Sequence, residues 1–147
     1  MQDNHNELIK RYCSYLQEWN ASYEEYARSV GLSYTALSIL TALYKTENCT
    51  QKLLCEQCFL PKQTVNAAVT AFYKKGWVRL EEMPEDRRNK TIHFTEEGKA
   101  EAERIVSKIR QCEQYSMDNL TEEERRVLLC ATQKYVAGCK KAMKGLK

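Results

Sequence analysis

The fold is decided by residues 60–98, which read LPKQTVNAAVTAFYKKGWVRLEEMPEDRRNKTIHFTEEG. Within this stretch, residues 77–81 (WVRLE) alternate apolar and polar side chains, and residues 91–94 (TIHF) alternate again. Alternation at a period of two predicts β-strands. Residues 82–90 between them are polar and include three bases, so we predict a hairpin with a charged loop at its end.

A helix is predicted immediately before the hairpin. Pro61 suits its first turn, where the missing N–H has no partner to lose. Val65, Val69 and Phe72 recur at helical spacing and form the predicted buried face. Gly76 is placed to end the helix. The other face carries hydrogen-bonding side chains without a carboxylate, namely those of Lys62, Gln63, Asn66 and Thr70.

Helical periodicity also predicts helices on both sides of this stretch. Ser33, Thr50, Thr95 and Thr121 are candidate N-caps, and the long first helix carries an aromatic stripe. With only five Gly and two Pro in 147 residues, the chain lacks the turns of an all-β fold. We predict a mainly α protein with a small β-hairpin: four helices, the hairpin, then two helices.

The third and fourth helices, joined by a tight connection, form a predicted helix-turn-helix with the hairpin beside it as a wing. Gln and Asn can pair with adenine, Lys with guanine, and the Thr methyl can touch that of thymine. An Arg on the wing suits the negative potential of a narrow minor groove. Residues 57–80 contain no acid and four bases, although the whole chain has a net charge of only +3. Charge alone is equally compatible with a solvated helix face.

Three segments carry a family resemblance: Lys75-Gly76-Trp77-Val78, residues 84–90 (PEDRRNK) and residues 94–98 (FTEEG). They closely resemble the signature of MarR-type winged helix-turn-helix transcriptional regulators, and residues 60–65 resemble the start of the recognition helix. The resemblance implies a homodimer with interlocked first, fifth and sixth helices, bound to an inverted-repeat operator in double-stranded DNA. We therefore expect one domain over residues 1–147, with 1–31 and 99–147 for dimerisation and 32–98 for DNA binding. We expect the regulator to be a repressor.

The expected DNA-contacting residues lie on the third helix, the fourth helix and the wing. Gln51 and Lys52 are candidates for phosphate contact at a helix N-terminus. The candidates for the major groove are Lys62, Gln63, Thr64, Asn66 and Thr70. The candidates on the wing are Asp86, Arg87, Arg88 and Lys90. The resemblance implies that Arg88 enters the minor groove and that Asp86 helps to hold it. Phe59 departs from the family pattern, which has a small turn residue there.

Two kinds of residue are candidates for sensing a signal. The aromatic side chains are expected either to line a pocket for a small aromatic effector or to be simply core; they are Tyr12, Tyr15, Trp19, Tyr34 and Tyr44. Some members of the family sense peroxides through an N-terminal cysteine beside tyrosines. Cys13 lies on the first helix near Tyr12 and Tyr15, which is a similar arrangement, and its alternative role is that of a small core residue.

The remaining cysteines favour no metal site. Cys55 and Cys58 have the spacing of half a zinc or redox motif, but no second pair with ligand spacing exists, so packed thiols are the favoured interpretation. We expect no metal and no cofactor.

Other classes of function are less compatible with this sequence. No phosphate-binding glycine loop, metalloprotease motif or nucleophile elbow is present, which argues against an enzyme. A winged-helix adaptor for proteins, or a thiol-based redox sensor without specific DNA readout, stays open as the alternative. Without a long apolar segment or a signal-peptide pattern, we expect a cytoplasmic protein with no membrane contact.

Overall fold

The computed structural model describes residues 2–147, which form six helices and three short strands in the order α1 α2 β1 α3 α4 β2 β3 α5 α6. The helices are α1 (Gln2–Ser29), α2 (Tyr34–Lys45), α3 (Gln51–Cys58), α4 (Lys62–Lys74), α5 (Glu96–Asp118) and α6 (Glu122–Lys144). The strands are β1 (Cys49–Thr50), β2 (Val78–Met83) and β3 (Asp86–Phe94). None of these helices is long and apolar enough to cross a bilayer. The predicted mainly α fold with a hairpin wing is confirmed.

The helix boundaries follow from local capping chemistry. The side chains of Ser33, Thr50 and Thr121 each accept a backbone N–H in the first turn of the next helix. The Thr95 hydroxyl accepts the N–H of Gly98 and caps α5 in the same way. At the C-terminal ends, Gly31 and Gly76 both have φ of +76°, which terminates the preceding helix at little steric cost. Pro61 is the N-cap of α4 rather than its first helical residue.

The chain divides into two compact units, one running up to Val106 and one comprising Ser107–Lys147. The core of the first unit consists of apolar side chains from its helices and strands. Those of Val65, Val69 and Phe72 on α4 are fully or almost fully buried, as the periodicity predicts. Phe72 also stacks on Trp77, with 5.7 Å between the ring centroids. α1 and α5 are joined by a hydrogen bond of 2.9 Å from the Tyr26 hydroxyl to the Ile105 carbonyl.

The sheet has three antiparallel strands in the order β1-β3-β2, one more than predicted. β1 consists of two residues, Cys49 and Thr50, which pair with Ile92 and Thr91 of β3. This pairing ties the residues just before α3 to the base of the wing. The helix-turn-helix and the wing are therefore joined through the backbone of a single sheet.

The wing differs from the predicted strand–loop–strand pattern. The sequence predicts a loop over residues 82–90, but β2 extends to Met83 and β3 begins at Asp86, so only Pro84 and Glu85 form the turn. The ladder shifts register between Glu82, which pairs with Lys90, and Met83, which pairs with Asp86. The polar composition of this segment conceals the strands, because both faces of a projecting wing are exposed and no apolar alternation is required.

The second unit contains the C-terminal part of α5 and all of α6. A capping box at Thr121 and Glu124 starts α6, and the Arg125 Nε atom donates to the Met117 carbonyl at 2.8 Å. No residue of α6 is buried. Several large apolar side chains of this helix are instead exposed, including Val127, Leu128, Leu129, Tyr135, Val136 and Met143.

Candidate nucleic-acid interface

The outer face of α4 presents the polar groups that the sequence predicts for the major groove. Lys62, Gln63, Asn66 and Thr70 are exposed, whereas Thr64 is half-buried. Because Val65, Val69 and Phe72 fasten the opposite face to the core, these polar side chains lie on a rigid support. Rigid presentation limits the conformational entropy that is lost when a helix enters a groove.

Tyr73 belongs to the same face, although sequence reasoning did not single it out. It is 57% exposed and follows Thr70 by three residues, so it continues the row of Gln63, Asn66 and Thr70 by helical spacing. The helical spacing of Tyr73 from Asn66 and Thr70 was the signal that could have identified it. An aromatic residue beside the buried Phe72 is, however, easily assigned to the core.

A hydrogen bond joins α3 to α4 at this surface. The Gln51 amide Nε2 atom donates to Asn66 Oδ1 at 3.2 Å. Gln51 is the first residue of α3, and neighbouring Lys52 is exposed. Two predicted contact residues from different helices are therefore brought together, and the amide nitrogen of Asn66 keeps its donors for another acceptor.

The wing bases are displayed on a β-bulge. Arg87, Arg88 and Asn89 lie between the paired residues Asp86 and Lys90, without partners of their own in the β2–β3 ladder. Such bulges change the direction in which side chains project from a strand. All three residues, together with Lys90, are exposed.

Asp86 holds this bulge through both carboxylate oxygens. Oδ1 accepts the backbone N–H of Arg88 at 3.0 Å, and Oδ2 accepts the side-chain amide of Asn89 at 2.9 Å. The contact to Arg88 is thus made to its backbone, and the guanidinium has no ion pair within 4 Å among the side chains of residues 4–147. Asn89 was not predicted as part of the site. Its role depends on the hydrogen bond to Asp86, three residues earlier in an irregular strand. No periodic pattern in the sequence indicates such a contact.

The cysteines occupy three different environments. Cys13 on α1 is exposed, while Cys49 on β1 is fully buried. Burial raises the pKa of the Cys49 thiol to about 11, with a smaller contribution from Cys58, so this thiol stays protonated and unreactive at neutral pH. Burial also raises the pKa of Cys58, with a smaller effect from Cys55. Among the side chains of residues 4–147, no three from Cys, His, Asp or Glu converge to form a metal site.

The five aromatic candidates are distributed over separate places. Trp19 and Tyr34 both contact Tyr23, with ring centroids 6.2 and 6.0 Å away. Tyr44 instead packs against Phe94 at 6.4 Å, and its hydroxyl bonds to Glu103 at 2.9 Å. Tyr15 is exposed on α1, and Tyr12 is half-buried.

Comparison with known proteins gives one family. A family model described as the MarR family matches residues 30–89 of the chain. The HTH-type transcriptional regulator SarZ of Staphylococcus epidermidis is 32% identical over 130 residues, which cover 88% of this chain and 79% of SarZ.

Solved structures share the fold at lower identity. The MarR family regulator NMB1585 of Neisseria meningitidis superposes with a TM-score of 0.80 at 20% identity, over 95% of this chain and 99% of that one. A point mutant of MarR from E. coli, complexed with operator DNA, superposes with a TM-score of 0.71 at 19% identity, over 87% of this chain and 92% of that one. BpsR of Bordetella bronchiseptica, whose DNA binding is regulated by 6-hydroxynicotinic acid, superposes with a TM-score of 0.69 at 20% identity, over 89% of this chain and 91% of that one.

Proposed function

The chain belongs to the MarR family of DNA-binding transcriptional regulators, and we propose that it is a homodimeric repressor of genes whose operators are pseudo-palindromic. Within this proposal, α4 reads the major groove and the wing enters the minor groove. Repression needs only occupancy of DNA that the transcription machinery must use.

One observation supports this proposal most strongly: the exposed polar face of α4 and the Asp86-held bulge of the wing lie in one compact unit. The face of α4 carries a base and no acid, and the wing carries bases on an exposed bulge. A helix suits the wide major groove of a duplex, and an arginine on a wing suits the narrow minor groove. An adaptor for proteins would be expected to present apolar anchors there instead. The operator-bound MarR neighbour of E. coli supports duplex DNA as the ligand.

Homodimerisation is proposed from both symmetry and exposed surface. One recognition helix covers only a few base pairs, while two related by a twofold axis read half-sites about 34–36 Å apart. Exposed apolar side chains on α1, such as Leu8 and Trp19, and the row on α6 supply surface that a second chain would bury.

Relief of repression is proposed through a small aromatic ligand or through thiol oxidation. The regulation of BpsR by 6-hydroxynicotinic acid supports the first route. The exposed thiol of Cys13 supports the second, since peroxide can oxidise an accessible thiolate to a sulfenic acid while being reduced to water or an alcohol. A Cys13→Ser variant whose DNA binding stays sensitive to peroxide would exclude Cys13 as the sensor.

The test begins with selection of bound oligonucleotides from a random pool, where an inverted repeat is the expected product. On that sequence, Arg88→Ala is expected to weaken binding by about 1–3 kcal/mol in a titration at fixed salt. Lys10→Ala removes one exposed charge from α1 and serves as the matched control. Equal affinities of Arg88→Ala and the wild type would remove the wing from the interface, and failure to enrich any duplex would favour the adaptor.

Transcription from a template carrying the selected repeat, with and without the protein, tests repression.

A further inference from the structure

A side-chain hydrogen bond links the start of α3 to the outer face of α4. The Gln51 Nε2 atom donates to Asn66 Oδ1 at 3.2 Å, between residues fifteen positions apart in the chain. Gln51 is half-buried, whereas Asn66 is exposed on the face that also carries Gln63 and Thr70. Among the side chains of residues 4–147, this is the one hydrogen bond that the Asn66 amide makes. The Oδ1 atom of Asn66 is thus engaged by the neighbouring helix, and its Nδ2 atom is left to donate to a ligand.

Both partners of this bond lie on backbone that the fold holds in place. Gln51 is the first residue of α3, and the preceding Thr50 is the N-cap of that helix. Thr50 also pairs with Thr91 of β3, so the start of α3 is tied to the sheet. Asn66 follows the fully buried Val65 on α4. The separation of the two backbones is therefore set by packing and by strand pairing, not by a loop.

The bond determines which way the Asn66 amide points. A side-chain amide has an acceptor on one side and two donors on the other, and half a turn exchanges them. With Gln51 donating, the reversed Asn66 amide would set donor against donor. Because water competes for so exposed a bond, it adds little to the stability of the free protein. In a groove from which water is displaced, however, a reversed amide would leave polar groups unpaired and weaken binding.

We propose that Gln51 is a positioning residue through which Asn66 selects an adenine in each half-site of the operator. Adenine presents the N7 acceptor and the N6 donor in the major groove. Asn66 Nδ2 donates to N7, and Oδ1 accepts from N6 with the lone pair that Gln51 does not use. The inference deepens the proposed function and rests on it, because α4 must enter the major groove. It gives Gln51 a role in sequence recognition, beyond the phosphate contact that a helix N-terminus favours.

The experiment uses the full-length chain and the duplex enriched from a random pool. Each adenine of the half-site is replaced in turn by 7-deazaadenine, which lacks the N7 acceptor and still pairs with thymine. In fluorescence anisotropy at fixed salt, one of these replacements should weaken binding by the wild type at least about fivefold. We call this loss the N7 penalty. Asn66→Ala should show no N7 penalty at that position, because the donor is gone.

Gln51→Met tests the positioning role, since it retains the length of the side chain and removes its donor. The N7 penalty should fall to about twofold or less, while replacements at the other adenines have the same effect as in the wild type. Gln57→Met is the matched control on the same helix. The Gln57 side chain bonds to Thr46 and not to Asn66, so this variant should retain the full N7 penalty.

Gln51→Glu is a second variant that tests the direction of the bond. A carboxylate only accepts, so it favours the Asn66 amide with Nδ2 turned toward α3. The N7 penalty should again be lost. The added negative charge should also lower the affinity for every duplex by the same factor.

Nuclear magnetic resonance of the isotope-labelled, DNA-free protein gives a readout that does not depend on DNA. Gln51→Met should shift the side-chain amide resonance of Asn66, and Gln57→Met should not. The absence of this shift overturns the proposal, and so does an N7 penalty that both Gln51 variants retain. Weaker binding of all duplexes by Gln51→Met at an unchanged N7 penalty assigns Gln51 to phosphate contact and overturns its positioning role.

Two further outcomes separate this proposal from the proposed function. A selected duplex in which no adenine shows an N7 penalty that depends on Asn66 overturns the adenine contact and leaves the regulator assignment intact. Failure to enrich any duplex, although Gln51→Met shifts the Asn66 resonance, refutes the proposed function and the adenine contact with it.

Discussion

Phe59 has a backbone conformation that is unusual for an aromatic residue. At the C-cap of α3 its φ and ψ are 54° and 43°, in the left-handed region, and its side chain is 86% exposed. For a residue with a Cβ this conformation has a free-energy cost of roughly 1–2 kcal/mol. A ring exposed to this degree recovers little of that cost by packing. The backbone of the turn between α3 and α4 is therefore strained at one residue, Phe59.

Replacement of Phe59 by glycine is expected to stabilise the protein. The strain disappears, and the gain is partly offset by the greater freedom of glycine in the unfolded chain, leaving about 0.5–1 kcal/mol. The midpoint of thermal unfolding should rise by about 1–4 °C. Phe59→Ala is the control, because it removes the ring and keeps the strained backbone. If alanine stabilises the protein as much as glycine does, the ring rather than the backbone is the source of the strain.

Periodicity alone predicted most of the individual residues of the α4 surface. The spacing of Val65, Val69 and Phe72 settled which face is buried, and hence which side chains face outward. The bond between Gln51 and Asn66 could not be predicted, because it depends on how two helices approach each other. For the same reason the scattered positions of the aromatic candidates could not be predicted. Helical spacing shows that aromatic residues share one face of a helix, but it does not show which other elements each ring contacts.

At the scale of elements, the helices were predictable and the sheet was only partly so. Helix ends carry their own chemical signals, such as Thr121 with Glu124 and the glycines at positions 31 and 76. β1 has only two residues and exists because it pairs with β3 more than forty positions later, so no local pattern indicates it. A cavity lined by the end of α2, strands β2 and β3 and the start of α5 was also not predicted, since it is assembled from several separate elements.

The wing bulge gives a prediction in which two physical effects have opposite signs. Asp86→Ala removes a negative charge near the proposed DNA surface, which by electrostatics alone would strengthen binding. It also removes the acceptors that hold Arg88 and Asn89. We expect the geometric effect to dominate and the affinity for the selected operator to fall by about 1–2 kcal/mol in a binding titration. Asp86→Asn retains one carbonyl acceptor for the Arg88 N–H and should lose less. Tighter binding by the alanine variant would show that Asp86 contributes only charge.

The junction between the wing and α5 permits no side chain at position 98. A Cβ added at Gly98 would lie 1.8 Å from the carbonyl oxygen of Trp77, a backbone atom that also accepts the Thr95 N–H. Gly98→Ala is expected to destabilise the protein by about 1–3 kcal/mol or more, measured by urea unfolding. Gly138→Ala on α6 is the matched control, because nothing lies within 4 Å of its added Cβ. In a helix interior that change should stabilise by up to about 1 kcal/mol. Equal effects at the two glycines would contradict the close approach at position 98.

At the scale of the whole molecule, five of the six large exposed apolar residues of α6 are arranged in a regular order, the exception being Val127. Leu129, Val136 and Met143 follow one another at intervals of seven residues, and Leu128 and Tyr135 repeat the same interval beside them. A seven-residue apolar repeat is typical of a helix that packs along another helix. Lysines 134 and 141 lie on the opposite side of α6 by helical spacing. This division of faces indicates which side of α6 a second chain would cover.

Leu129→Glu is therefore expected to shift the protein from dimer to monomer and to abolish tight binding to the inverted repeat. A carboxylate in an apolar helix contact is strongly disfavoured unless it is paired, and a lone monomer can occupy only one half-site at a time. Light scattering coupled to size-exclusion chromatography at micromolar concentration measures the first effect, and a titration of the selected duplex measures the second. Lys134→Gln changes the net charge by the same single unit on the opposite face, so it should remain dimeric with nearly unchanged affinity. If Leu129→Glu remains a dimer, this stripe of α6 does not form the subunit contact. If it becomes a monomer that retains full affinity, dimerisation is separate from operator binding, and the symmetric reading of the inverted repeat must be abandoned.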